Sequence, residues 1–159
     1  ANPTPPDLQV YELAKRNVAM SANSEARDSF SGFTMLSGWG PEEGPVPEAF
    51  LPTFHWGLAP HTELEISHPG TVGETMLIAK CLTYCTNQAI DVELNGETIS
   101  RLQFQEINHC EHIMVPLPLL PGSNRLMLRY SQNLASAADP RPLAVIFLSL
   151  QVITPQLSP

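Results

Sequence analysis

The chain has 159 residues, 43% of them hydrophobic and 15% charged, which is the size of one domain of roughly 100–200 residues and a composition that supports a packed core. Sixteen prolines exclude long helical bundles and coiled coils, because proline ends helices and interior strands. Eight Lys and Arg against sixteen Asp and Glu give a net charge of -8, the wrong sign for neutralising phosphates, so charge argues against nucleic acid and anionic membranes as partners.

The first residues, ANPTPP, read as an extended linker, since adjacent prolines favour polyproline geometry. They lack the basic and apolar parts of a signal peptide, which leads to the expectation of a chain that begins after processing or is cut from a longer protein. Asp7 can cap a helix over Leu8 to Met20, in which Leu8, Tyr11, Leu13, Val18 and Met20 recur and Glu12 stands four residues before Arg16. No run reaches the roughly 18 apolar residues of a membrane span.

From Phe30 onward the pattern changes to short apolar runs between turn formers: FTMLSGW, TFHWGL, TELEIS, ETMLIAKCLTY, AIDVELNG, TISRLQFQEI, HIMVPLPL, RLMLRYS and LAVIFLSLQVI. Ile90, Val92 and Leu94 alternate with Asp91 and Glu93, and Leu126, Leu128 and Tyr130 alternate with Met127 and Arg129, the period of half-buried antiparallel strands. Asn95-Gly96 is the signal of a tight hairpin, and Pro121-Gly122-Ser123-Asn124 introduces the next strand. LAVIFLSLQVI, from Leu143, is apolar at nearly every position and reads as a central strand covered on both sides, with the N-terminal helix a candidate cover. The expected fold is an all-β antiparallel sandwich or jelly roll with one N-terminal helix. It divides the chain into an arm and helix (1–29), the sandwich (30–154) and a C-terminal tail (155–159).

Hydrolase and nucleotide-binding signatures are missing from the sequence. Glu63 and Glu65, two apart on an expected strand, read as a solvated sheet face before they read as a glycosidase pair. Cys81, Cys85, His109, Cys110 and His112 form the one metal-like cluster, but Cys81 and Cys85 would stand about 13 Å apart along an extended strand. Buried or free thiols, a disulfide from Cys110 to Cys81 or Cys85, and a metal site are the three readings, and the first is preferred, with no metal or cofactor expected. Trp39, Phe54, His55 and Trp56 share a loop-rich stretch with Glu42 and Glu43, a mixture of rings and carboxylates that can bind sugars, although for Trp39 and Trp56 packing as a plug at a sandwich end is the preferred reading and ligand contact by at least one of them the second. Asp139 and Arg141, in DPRPL, read as a clamp at a strand entry.

The order Ser37-Gly38-Trp39, Glu42 or Glu43, Phe54-His55-Trp56, IDVELNG (Ile90 to Gly96), PGSNRL (Pro121 to Leu126) and DPRPLAV (Asp139 to Val145) resembles the β-sandwich accessory domains attached to bacterial glycosyltransferases and other cell-surface polysaccharide proteins. The likeness spans about Phe33 to Ile153, and GPVPEAFLP is an insertion between its two tryptophans. It implies a galactose-binding-like or jelly-roll sandwich without catalysis of its own, whose shared positions are Trp39, Glu42 or Glu43, Trp56, Asn95, Gly96, Asp139 and Arg141. The location it implies is cytoplasmic for a piece of a glycosyltransferase and the cell surface for a processed exported protein.

Together these readings lead to a non-catalytic carbohydrate-binding or carbohydrate-associated module linked to cell-surface glycan synthesis. Trp39, Glu43, His55 and Trp56 are its ligand contacts, and its partners are a glycan and a protein partner or parent glycosyltransferase. The alternative is a structural or assembly subunit joined through its termini.

Overall fold

The structure is a computed structural model that describes residues 29–70, 74–107 and 109–154. The helix expected over Leu8 to Met20 and the tail 155–159 lie outside the described residues. Those that are described form ten strands: β1 (Phe30–Ser31), β2 (Thr34–Met35), β3 (His55–Leu58), β4 (His61–His68), β5 (Thr75–Thr83), β6 (Gln88–Leu94), β7 (Glu97–Phe104), β8 (Cys110–Leu117), β9 (Gly122–Tyr130) and β10 (Leu143–Ile153). All nine apolar runs carry a strand, and only the two-residue β1 has no run of its own.

The strands make two sheets. In the first, β10 is flanked on one side by β5 and then β8, and it also pairs with β3 through its first half and with β1 through Leu150 and Gln151. The second runs β2-β4-β9-β6-β7. Every pairing is antiparallel except β1 with β10, a two-residue parallel contact. The expected sandwich is therefore the fold.

Alternation decides what is buried. Ile90, Val92 and Leu94 from β6 and Leu126, Leu128 and Tyr130 from β9 face Leu77, Ala79, Cys81, Ile113 and Val115 of the first sheet across one core. A bulge between Phe147 and Ser149 shifts the parity of β10 by one residue. That shift lets both Phe147 and Leu150 enter the core, and it is why LAVIFLSLQVI shows no clean period of two.

The same strand also buries its opposite side. Leu143 and Leu148 join Phe54, Trp56 and Leu82 in a second cluster on the outer face of the first sheet, with Val46, Leu51, Leu58, Tyr84, Cys110 and Ile146 around it. The described cover is the segment between Trp39 and Trp56: the proline-rich insertion folds back over its own sheet. Burying such a layer contributes roughly 25 cal/mol per Å² of apolar surface removed from water.

Candidate functional site

The stretch expected to be loop-rich is an irregular hairpin. Isolated bridges pair Trp39 with Gly57, Glu43 with Phe54 and Val46 with Leu51, and Gly40 N–H donates to the Trp56 carbonyl at 2.8 Å. Paired residues in such a ladder share a face and successive residues alternate. Trp39 lies opposite Gly57, so it shares a face with His55, whereas Trp56, one residue away, faces the other side. Glu43 lies opposite Phe54 and shares the Trp56 side. The hairpin thus divides the four expected contacts into two pairs.

On the inner side, Trp39 stacks on Phe33 with centroids 5.8 Å apart, and its ring lies 5.5 Å from Phe147 and 6.1 Å from His55. Its indole N–H donates to the Glu63 carbonyl at 2.8 Å, which ties the hairpin to β4 of the second sheet. His55 sits edge-on to Phe30, 4.7 Å between centroids. Its Nδ1 is 2.9 Å from the Gly40 carbonyl. A carbonyl can only accept, so Nδ1 carries the proton and Nε2 is left as the acceptor.

On the outer side, Trp56 is 8% exposed, with its ring edge-on to Phe54 at 6.4 Å and to Tyr84 at 5.2 Å. Glu43 accepts from Arg141 Nη1 at 3.1 Å, and Asp139 receives two guanidinium hydrogen bonds, from Nε at 2.9 Å and from Nη2 at 2.7 Å. A Cβ at Gly40 would lie 3.1 Å from Trp56 Cβ and 3.4 Å from Arg141 Nη1, which places the guanidinium beside the tryptophan. Arg141, Asp139 and Glu43 are each about one-third exposed, at 30%, 32% and 33%. Hydrogen bonding to Arg141 holds the Asp139 carboxyl below its ordinary range, and Asp139 first, then Glu43, pushes the guanidinium further up. The geometry is a forked clamp: one arginine joins the β9–β10 connection to the hairpin.

Asn95 and Gly96 form the β6–β7 turn with φ of 51° and 89°, the left-handed pair that a two-residue hairpin requires. Asn95 also donates through Nδ2 to Asn124 Oδ1 and accepts from Arg125 N–H, both at 2.9 Å. Asn124, 1% exposed, further accepts from Leu120 N–H and donates to the Leu120 carbonyl, both at 2.8 Å. Sequence reasoning placed Asn124 only within a turn. Its position two residues before Leu126, in phase with the alternating Leu126, Leu128 and Tyr130, was the available signal.

The pleat separates the cysteine cluster. Cys81 lies in the sandwich core, while Cys110, opposite Leu82, belongs to the outer cluster, and none of the three cysteines is in a disulfide. Among the described residues, no three His, Cys, Asp or Glu side chains come together as a metal site. Glu63 and Glu65 lie on the outer face of β4, where Arg125 approaches Glu63 at 3.9 Å and Ser123 donates to Glu65 at 2.7 Å.

A cleft that the sequence did not signal opens at one end of the sandwich. Its volume is about 330 Å³, and it is lined by Tyr84, Cys85, Thr86, Ile107, Gln132, Asn133 and Leu134, from the β5–β6, β7–β8 and β9–β10 connections. These residues come from three separate stretches, so no spacing motif could unite them. The nearest signal was the apolar run ETMLIAKCLTY, which continues to Tyr84 although β5 ends at Thr83.

No family model matches this chain, and no curated protein does. Among solved structures it is similar to a family 35 carbohydrate binding module from an environmental isolate, with 16% identity, 80% of this chain and 98% of the module covered, and a TM-score of 0.50. A family 35 module from Clostridium thermocellum is 14% identical over 79% of this chain and 90% of its own, with a TM-score of 0.45. A family two carbohydrate esterase from the same organism, solved with cellohexaose, matches at 12% identity and a TM-score of 0.43, over 79% of this chain and 34% of its own. The class of protein defined here is the two-sheet β-sandwich, the fold shared with the first of these modules.

Proposed function

We propose that the chain is a non-catalytic carbohydrate-binding module, and that glycans meet the outer side of the hairpin between Trp39 and Trp56. The observation that carries this reading is the surface formed by Glu43, Arg141, Trp56 and Tyr84, in which a fixed ion cluster borders a layer of aromatic rings. Sugars are bound by flat apolar rings against their CH faces and by oriented polar groups at their hydroxyls. Here Glu43 supplies the acceptor, and Trp56 supplies a ring edge and braces Tyr84. Trp39 and His55 lie on the inner side, away from this surface, where Trp39 fixes the hairpin through its hydrogen bond to the Glu63 carbonyl. The fold shared with a family 35 carbohydrate binding module supports the same assignment.

The non-catalytic part of the proposal is supported by how the acids are engaged. Glu43 is hydrogen-bonded to the Arg141 guanidinium, and Glu63 and Glu65 are engaged on a sheet face. The link to cell-surface glycan synthesis is part of this proposal and is carried by the order of motifs from Ser37 to Val145, with a glycosyltransferase as the protein partner.

The test is a glycan array followed by calorimetric titration of the hits against the unaltered protein and Glu43→Gln. Binding with a Kd on the order of 0.1–1 mM, weakened in the variant, is the expected result. An array with no hit, together with a flat titration at millimolar glycan, would overturn the assignment.

A further inference from the structure

Resting on the carbohydrate-binding reading, we infer that the end cleft between Tyr84 and Leu134 is the sugar subsite, and that it takes a neutral, hydroxyl-rich ligand of mono- or disaccharide size.

The lining sets the ligand's chemistry. No Asp, Glu, Lys, Arg or His lines the cleft, so phosphates, uronates and amines would find no counter-charge. What it offers is one aromatic ring, two carboxamides, one threonine hydroxyl and two aliphatic side chains. Carboxamides donate and accept at once, which matches the paired character of sugar hydroxyls. Among the described residues, the side chains of Thr86, Gln132 and Asn133 make no hydrogen bond, so their capacity is unspent. The Cys85 thiol, whose pKa burial raises, adds no charge at neutral pH. A volume of about 330 Å³ is at the small end of the roughly 300–1,000 Å³ of ligand sites.

The walls are fixed by buried polar groups. Gln88 is fully buried. Its Nε2–H donates to the Gln132 carbonyl at 2.7 Å, and its Oε1 accepts from Gln132 N–H at 3.0 Å. Thr83, also fully buried, donates to the Glu106 carbonyl at 2.7 Å and so holds the connection that carries Ile107. Leu134 exchanges backbone hydrogen bonds with Leu143 at 2.9 and 3.2 Å. Burying a carboxamide and a hydroxyl to immobilise surface connections is costly unless they are paired, and here they are paired with the backbone of the cleft walls. On that rigid frame, Ile107 and Leu134 are left 44% and 54% exposed, an apolar rim beside the free amides. Tyr84 joins the cleft to the hairpin through its ring contact with Trp56, which makes the cleft the end of the surface proposed above.

The experiment is an amide-resolved NMR titration of the full chain with cellotriose, xylotriose and β-1,3-galactotriose, and with a galacturonic acid dimer as the charged probe. The variants are Gln132→Ala, Asn133→Ala and, on the hairpin, Glu43→Gln. Gln132 and Asn133 are exposed and Glu43 is one-third exposed in the Arg141 clamp, and a preserved amide spectrum verifies the folding of each variant. The expected result is binding of a neutral sugar with shifts at Tyr84, Thr86, Gln132 and Asn133, weakened about fivefold or more by each cleft variant. Preference for the galacturonic dimer would overturn the neutral-ligand inference. Neutral-sugar binding with shifts away from the cleft and undiminished by both cleft variants would overturn the site and leave the carbohydrate reading standing. No shift with any sugar would overturn the inference and leave the carbohydrate reading to the array.

Discussion

Gly57→Ala is a severe test of how the hairpin is seated. Gly57 lies on β3, opposite Val145 of the core strand, and is buried. A Cβ there would collide with the Tyr130 hydroxyl oxygen and lie 2.8 Å from Phe147 Cε2. Both neighbours are core side chains, so neither can swing into solvent. Overpacking of this kind costs about 1–3 kcal/mol. Displacing Tyr130 also disturbs its 2.6 Å hydrogen bond to Thr62, a further contribution of about 0.5–1.5 kcal/mol. Alanine's better backbone propensity returns about 0.5–1 kcal/mol. The expected net loss is about 2 kcal/mol, or about 4–8 °C in Tm for a domain of this size. Urea denaturation of the wild type, Gly57→Ala, Tyr130→Phe and the double variant measures it. Removing the hydroxyl removes the worst contact, so the two changes should be less than additive by at least about 0.5 kcal/mol. Thr62 keeps its hydrogen bond to the Gly38 carbonyl at 3.0 Å, so Tyr130→Phe alone leaves no orphaned hydroxyl. Additive costs within about 0.3 kcal/mol would refute the argument that the phenol oxygen is what excludes a side chain from position 57.

Asn124→Ala should destabilise the sandwich by about 3 kcal/mol in the same assay, because it orphans the Leu120 backbone and removes the acceptor of Asn95; a loss under about 1 kcal/mol would show that water replaces it freely. The clamp predicts a pH dependence. The folded-state pKa of Asp139 is lowered, so its contribution is present above the unfolded-state pKa and is lost as pH falls through the folded one. Asp139→Asn should therefore lower the urea midpoint at pH 7 and narrow its gap to the wild type at strongly acid pH, whereas a gap that widens on acidification would contradict the sign.

Strands were legible wherever one face meets the core and the other meets water. Ile90, Val92 and Leu94 are buried in β6, and their charged neighbours are not, as the period of two requires. The Asn95-Gly96 dipeptide similarly located its turn, because few residues tolerate positive φ in succession. Two features resisted. The bulge in β10 removed the alternation that would have shown which of its apolar residues face which layer. The hairpin resisted because parity depends on which residue stands opposite which: with Gly57 across from Trp39, neighbours in the sequence such as His55 and Trp56 go to opposite sides. Composition gathers such residues into one patch, and only the register separates them.

That separation bears on how the hairpin and the cleft cooperate. Trp56 is too buried to serve as a broad stacking platform, yet its edge-on contact fixes the plane of Tyr84, and a paired ring geometry of this kind is worth about 0.5–1.5 kcal/mol beyond area burial. Phe54 holds Trp56 from the other side, and Glu43, paired with Phe54 through the backbone, keeps Arg141 anchored to the same ladder. The Phe54–Trp56–Tyr84 ring contacts therefore connect the hairpin that carries the proline-rich insertion to the first residue of the cleft. The polar clamps of Gln88 and Thr83 act independently of that route, since they hold the other two walls from the core side of the loops. The cleft is thus positioned twice, by an apolar layer outside the first sheet and by the hydrogen bonds of buried Gln88 within the second sheet and of buried Thr83 across to the β7–β8 connection. On the proposed carbohydrate-binding reading, such double support lowers the cost of binding, because connections held in place before the ligand arrives need not be ordered on contact.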